Sequence, residues 1–117
     1  VNLTVVREYG FEAAHHLSWH PGTCARPHGH SYRLEVAVTG PLDERGVVMD
    51  FAEIDEVVER AVLAVYDHQD LNSVLENPTC ELIAADVMRR LIGAGLAASW
   101  LRVWETARGS ALVTAEG

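Results

Sequence analysis

His28-Gly29-His30-Ser31-Tyr32-Arg33-Leu34-Glu35-Val36-Ala37-Val38-Thr39 is the stretch whose period decides the fold. Successive side chains of a strand point to opposite faces. His28, His30, Tyr32, Leu34, Val36 and Val38 therefore share one face, and Arg33, Glu35, Ala37 and Thr39 share the other. This is a half-buried strand with two imidazoles on its apolar side.

Working outward, residues 17–27 carry Pro21, Gly22, Cys24 and Pro27 and read as a loop. Before it, residues 3–14 place Leu3, Val5 and Phe11 among polar neighbours, which fits a strand ending at His15-His16 with Gly10 placed for a bulge. After the central strand, Gly40-Pro41 and Asp43-Glu44-Arg45-Gly46 make a turn region, and Val47-Val48-Met49 fits a brief returning strand. Asp50 and Glu53 have capping-box spacing, and Phe51, Ile54, Val57, Val58, Ala61, Val62 and Val65 predict a helix over 51–66. Asp67 to Glu76 reads as a connecting loop. Asn77-Pro78-Thr79 opens a second helix with Leu82, Ile83, Val87, Leu91 and Ile92 as its buried stripe and Gly93 and Gly95 as stops. Trp100 to Thr106 alternates with Leu101, Val103 and Glu105 on one face, and Ala107-Arg108-Gly109 turns into a last strand near Ser110 to Thr114.

The order strand-strand-helix-helix-strand-strand predicts an α+β domain, a four-stranded antiparallel sheet with two helices on one face. Such a sheet keeps two edges and an open face. Edge-to-edge joining between subunits hides them, so an oligomer is expected.

The 117 residues suit one domain, 1–117, and the 49% hydrophobic and 22% charged content is that of an ordinary globular protein. No apolar run reaches the roughly 20 residues of a membrane span, and no signal or transit peptide is visible, so the cytoplasm is the default compartment. The net charge is −8, and all nine cationic residues are arginine. An acidic chain without a basic patch is a poor nucleic-acid binder, so no nucleic-acid partner is expected, and an anionic ligand must be small and met by local arginines or a metal. Cys24 and Cys80 are too few for a disulfide framework and read as free thiols.

Strand positions two apart lie about 6.6 Å apart on one face, so His28 and His30 can converge on one ion. His15 at the end of the first strand supplies a third imidazole. Three protein ligands leave one tetrahedral position open, the mark of a catalytic zinc. The alternatives are ordinary polar residues at a strand end, or a closed site with Cys24 as fourth ligand. Cys24 itself is either a small buried hydrophobe or a reactive thiolate. Asp67-His68 reads as a surface pair or as a carboxylate orienting a general acid–base imidazole. Glu105 on an apolar strand face needs a partner, and a ligand offering two parallel N–H donors, such as the amino-pyrimidine edge of a pterin or guanine, satisfies it. Thr79 and Glu81 at a helix start serve first as capping residues.

Phe11-Glu12-Ala13-Ala14-His15, then Cys24 ahead of His28-Gly29-His30, then Met49-Asp50-Phe51, Asp67-His68, Asn77-Pro78-Thr79 and Glu105-Thr106 form an ordered set. Together they resemble the 6-pyruvoyltetrahydropterin synthase family, including its bacterial 6-carboxytetrahydropterin synthase branch. The resemblance implies the T-fold, in which subunit sheets join into a barrel, two trimers stack into a hexamer, and active sites lie at subunit interfaces. It implies a Zn2+ held by His15, His28 and His30, Cys24 as the proton-abstracting thiolate, and Asp67 and His68 as a second catalytic pair. Glu105 would anchor the pterin and join the catalytic set, with Thr79 and Thr106 at the substrate. The implied substrate is 7,8-dihydroneopterin triphosphate. The implied bacterial product is 6-carboxytetrahydropterin, formed with release of acetaldehyde for queuosine and other 7-deazapurines. The absence of lysine leaves the triphosphate to Arg26, other arginines or a neighbouring subunit.

Overall fold

The computed structural model describes residues 1–115. β1 (Asn2–His15) and β2 (His28–Pro41) form one long antiparallel hairpin, in unbroken register from Asn2 opposite Pro41 to His15 opposite His28. Gly10 pairs directly with Arg33, so the bulge expected at Gly10 is absent. α1 (Phe51–Val58) runs through a π-helical segment (Glu59–Leu63) into α2 (Ala64–Tyr66), one helical rod over 51–66 as the periodicity predicts. α3 (Cys80–Gly93) follows, and then β4 (Trp100–Thr106) and β5 (Gly109–Thr114) close the sheet.

Between the helices a two-residue strand, β3 (Gln69–Asp70), runs parallel to β1 at Ala13 and Ala14. The sheet is therefore five-stranded and mixed, in the order β3-β1-β2-β4-β5, not the four-stranded antiparallel sheet expected. The polar 67–76 segment has no apolar alternation to betray a strand. It is drawn to the edge of β1 by backbone chemistry, since the His68 N–H donates to the Glu12 carbonyl (2.6 Å) and the Glu12 N–H donates to Asp67 Oδ1 (2.9 Å). Val47-Val48-Met49 likewise makes no strand. Asp43 curls that segment into a turn, accepting from the N–H groups of Arg45 (2.8 Å) and Val47 (3.3 Å) while Gly46 takes a φ of 83°.

Along the first helical rod, Ile54, Val58, Val62 and Tyr66 are all fully buried at a spacing of four. A pure α-helix would rotate such a row by about 40° per step, and the wider π turn takes up part of that drift. Asp50 caps this helix through the Ala52 N–H (2.9 Å), but Glu53 lies toward Arg45 (3.5 Å), so only half of the capping box forms. On α3 the buried stripe is Ile83, Ala84, Val87, Met88 and Leu91. Leu82 and Ile92 were expected within that stripe and are instead 45% and 55% exposed.

The helices cover one face of the sheet. Arg7 and Tyr9 of β1 reach Asp55 of α1 (2.9 and 2.6 Å), and Phe11 stacks on Tyr32 with ring centroids 4.9 Å apart. The opposite face is polar, with Thr4, Thr39 and Ser99 hydroxyls in a chain, Glu8 on Arg33, and the Trp104 indole donating to Glu35 (2.7 Å). Among the described residues no helix is long and apolar enough to cross a membrane.

Candidate functional site

The uninterrupted β1–β2 register brings His15 directly opposite His28, with His30 two residues further along β2 on the same face. Nitrogen atoms of the three rings lie within 4.8 Å of one another. Two of the rings are held in a definite orientation. His15 Nδ1 donates to the Pro78 carbonyl (2.8 Å), and His28 Nδ1 donates to the Arg26 carbonyl (2.7 Å). A carbonyl accepts only, so in the neutral form of each ring the proton sits on Nδ1 and the Nε2 lone pair is left for the centre. Carbonyl-oriented histidines of this kind are the usual outer support of a metal centre.

His30 Nε2 is buried and has no hydrogen-bond partner. An orphaned buried nitrogen facing two other imidazoles is the donor set a metal ion satisfies, and three neutral nitrogens suit zinc. Burial moves the His30 pKa below its ordinary value, which keeps the ring in the ligating form. Tyr32 walls the centre from beneath, backed by Phe11. Tyr32 meets the His15 and His30 rings edge-on at 6.1 and 5.5 Å, and burial raises its pKa.

Glu105 stands at an irregularity of β4, where the register to β5 shifts between Trp104 and Thr106. A shift of this type re-aims a side chain. The half-buried carboxylate ends 3.5 Å from His15 Nε2. Cys24 is half-buried on a 3-10 turn (Thr23–Ala25), and its thiol is outside the convergent nitrogen set.

The Cys24 loop is stitched to itself and to the segment before α3. The Leu17 N–H donates to the Cys24 carbonyl (2.8 Å). Asn72 pairs with both the N–H and the carbonyl of His16 (2.9 and 3.0 Å), and the exposed Trp19 donates from its indole to Asn77 (2.8 Å). Neither Asn72 nor the Pro78 carbonyl carried a signal in the sequence, because a backbone carbonyl has no residue type and a lone asparagine in a polar loop is ordinary. Trp19, a large aromatic in a Pro/Gly-rich loop, was the visible clue to that tether.

Asp67 and His68 meet as a pair, with His68 Nδ1 3.0 Å from Asp67 Oδ1. The Glu12 N–H, ahead of the other contacts, holds the Asp67 carboxyl below the usual carboxylate range. His68 has a φ of 59°, a left-handed conformation that costs a non-glycine residue roughly 1–2 kcal/mol. Such a conformation persists where surrounding structure imposes it, commonly at functional positions. The imidazole is 77% exposed and borders an open cleft of about 550 Å³ with Glu12, Gly29, His30 and Ser31. Thr79 caps α3 by accepting from the Leu82 N–H (3.1 Å), and Thr106 is exposed at the end of β4. Cys80, beside Thr79, donates to the Val103 carbonyl (3.3 Å), and burial pushes its thiol up to about 11.

The family model described as 6-pyruvoyl tetrahydropterin synthase matches residues 4–116. The chain belongs to the 6-pyruvoyl tetrahydropterin synthase family. Within it, the chain is 40% identical over 99 residues to the 6-carboxy-5,6,7,8-tetrahydropterin synthase of Synechocystis, covering 79% of this chain and 77% of the relative. It is 36% identical over 90 residues to the dihydroneopterin monophosphate aldolase of Pyrococcus furiosus, covering 74% and 73%. The solved structure of Caenorhabditis elegans 6-pyruvoyl tetrahydropterin synthase superposes with a TM-score of 0.89 over 99% of this chain and 97% of that one. At 22% identity, that likeness speaks for the fold. Family membership supports pterin chemistry for the chain, and the His15, His28 and His30 group is able to hold a metal ion.

Proposed function

We propose that the chain is a zinc-dependent lyase acting on 7,8-dihydroneopterin triphosphate, consuming one water and forming 6-carboxy-5,6,7,8-tetrahydropterin with release of acetaldehyde and triphosphate. The observation that carries this reading is the three-histidine centre with an orphaned His30 Nε2 and the Glu105 carboxylate at its rim. His15, His28 and His30 would hold the zinc, which when bound supplies Lewis-acid polarisation of a substrate oxygen.

The remaining work falls to the chain's own groups. Cys24, held on the hydrogen-bonded loop that leads into His28, takes a proton from the pterin side chain. Asp67 stays ionised, fixes His68 Nδ1 and leaves Nε2 to exchange a proton with the substrate. Glu105 accepts the paired N–H donors of the amino-pyrimidine ring, with Thr79 and Thr106 lining that end of the pterin. The side chains of Glu12 and Ser31, which border the cleft beside His68, alternate with His15, His28 and His30 along the strands and so lie on the opposite face, and the cleft reaches the centre only at His30. This placement supports a composite site, in which the Asp67-His68 pair of one subunit serves the histidine centre of another within a trimer or hexamer. The outer edge of β5 and the part of β1 before Ala13, which β3 does not cover, are where the subunit sheets would join into a barrel.

The Pyrococcus furiosus relative favours a second reading, cleavage of the side-chain carbon–carbon bond of a dihydroneopterin monophosphate. Incubation of zinc-loaded protein with each phosphate ester decides between them. Acetaldehyde with free triphosphate from the triphosphate ester is the expected result. Triphosphate without acetaldehyde would favour a pyruvoyl product, and a phosphorylated two-carbon aldehyde from the monophosphate would favour the aldolase. Turnover of neither ester would sink the enzyme reading in favour of a zinc-stabilised pterin-binding module.

A further inference from the structure

The distribution of arginines identifies how the phosphate end of the substrate is held, an inference that rests on the proposed activity toward a phosphorylated pterin. The chain has a net charge of −8 and no lysine, so a polyanionic ligand approaches against the overall field and needs local cations. Of the nine arginines, six have a carboxylate within salt-bridge range: Arg7, Arg33, Arg45, Arg60, Arg89 and Arg90. Among the described residues, Arg26, Arg102 and Arg108 have none.

Arg102 is not available to a ligand. It is half-buried in mid-β4, its Nε is enclosed, and its guanidinium lies 5.4 Å from the Trp104 ring centre. Arg26 and Arg108 are exposed. The carbonyl of Arg26 is the group that holds His28 Nδ1 (2.7 Å). Arg108 lies in the β4–β5 turn, where its N–H donates to Thr106 Oγ1 (3.3 Å), just past Glu105. The strand registers put the two at one end of the sheet. His15 opposite His28 closes the β1–β2 hairpin there, and β4 leaves β2 at Arg33 opposite Trp104, so the turn after Glu105 emerges on that side.

We infer that Arg26 and Arg108 form a two-guanidinium grip for the phosphate chain of the substrate at the rim of the histidine centre. Guanidinium forks bind phosphate oxygens bidentately, which gives orientation as well as charge. The grip fixes the anionic end while Glu105 holds the amino-pyrimidine end, so the carbon chain between them spans the three histidines.

The test uses Arg26→Gln, Arg108→Gln and the double variant. Two probes are titrated into the zinc-loaded protein, inorganic tripolyphosphate by calorimetry and unphosphorylated dihydroneopterin by fluorescence. Each substitution is expected to weaken tripolyphosphate binding by about ten-fold or more, from the strength of hydrogen bonds to charged groups. Dihydroneopterin affinity and zinc content should stay at the wild-type value. Undiminished tripolyphosphate binding in the double variant overturns the grip. So does a wild-type protein that binds dihydroneopterin but not tripolyphosphate, and in both cases the pterin reading survives. A wild-type protein that binds neither probe overturns the pterin reading and the grip together, and equal loss of both probes along with zinc assigns the arginines a structural role instead.

Discussion

Replacing His30 by leucine separates the metal-binding role of the centre from its role in packing. In the metal-free chain His30 Nε2 is buried without a partner, a condition that costs about 1–3 kcal/mol relative to an apolar group of similar shape. Leucine removes that cost at a reshaping penalty below about 1.5 kcal/mol. Metal-free His30→Leu is therefore expected to be as stable as the wild type, or more stable by up to about 2 kcal/mol. Zinc reverses the order. At a free zinc concentration a thousand times its dissociation constant, the wild-type protein gains about 4 kcal/mol by mass action. For a chain of this size that is roughly 12–20 °C in Tm. The variant, left with His15 and His28, should show little of that gain. The assay is thermal unfolding of both proteins with chelator and across a zinc titration. A variant that keeps the zinc-dependent rise refutes the three-histidine centre. A metal-free variant destabilised by more than about 2 kcal/mol shows that the ring serves packing instead.

Asp86 is 8% exposed and receives hydrogen bonds from Tyr66, Arg89 and Arg90. Burial alone would raise its pKa, but the donors outweigh it and hold it below the ordinary 3.8. A depressed carboxylate stabilises the fold above its unfolded value and loses that contribution as pH falls through the folded value. Urea unfolding should therefore show stability falling below pH ~4, and Asp86→Asn should flatten that slope. His68→Gly relieves the left-handed backbone and should gain roughly 0.5–1 kcal/mol in chemical denaturation while abolishing turnover. Asn72→Ala removes both hydrogen bonds to the His16 backbone. It should cost about 1–3 kcal/mol, speed amide exchange at His16 and Leu17, and lower kcat more than KM.

Regular periodicity made the main elements legible. The alternation of β2 fixed which face carries His28 and His30, and the recurrence of Ile54, Val58 and Val62 marked the first helix, although Tyr66, which ends its buried row, was outside the expected stripe and Phe51, which was within it, is 44% exposed. Glu105 was visible as a carboxylate in an apolar row, and it does turn toward His15. β3 was not visible, because a two-residue parallel bridge rests on backbone groups of Glu12 that no side-chain pattern reports. Val47-Val48-Met49 misled for the opposite reason. Its β-branched composition suits a strand, yet the Asp43 turn denies it a partner edge. Around the centre, the donors were visible in the sequence but their supports were not. The Pro78 and Arg26 carbonyls that orient two rings are main-chain atoms, and the Asn72–His16 pairing joins segments far apart in the chain.

Zinc content and acetaldehyde release, measured together on the wild-type protein and Cys24→Ala with 7,8-dihydroneopterin triphosphate, test the central claim most directly. The expected result is one zinc per chain in both proteins and acetaldehyde from the wild type alone. Loss of zinc in Cys24→Ala would place the thiol on the metal, and a zinc-loaded wild-type protein that releases no acetaldehyde would contradict the proposed reaction.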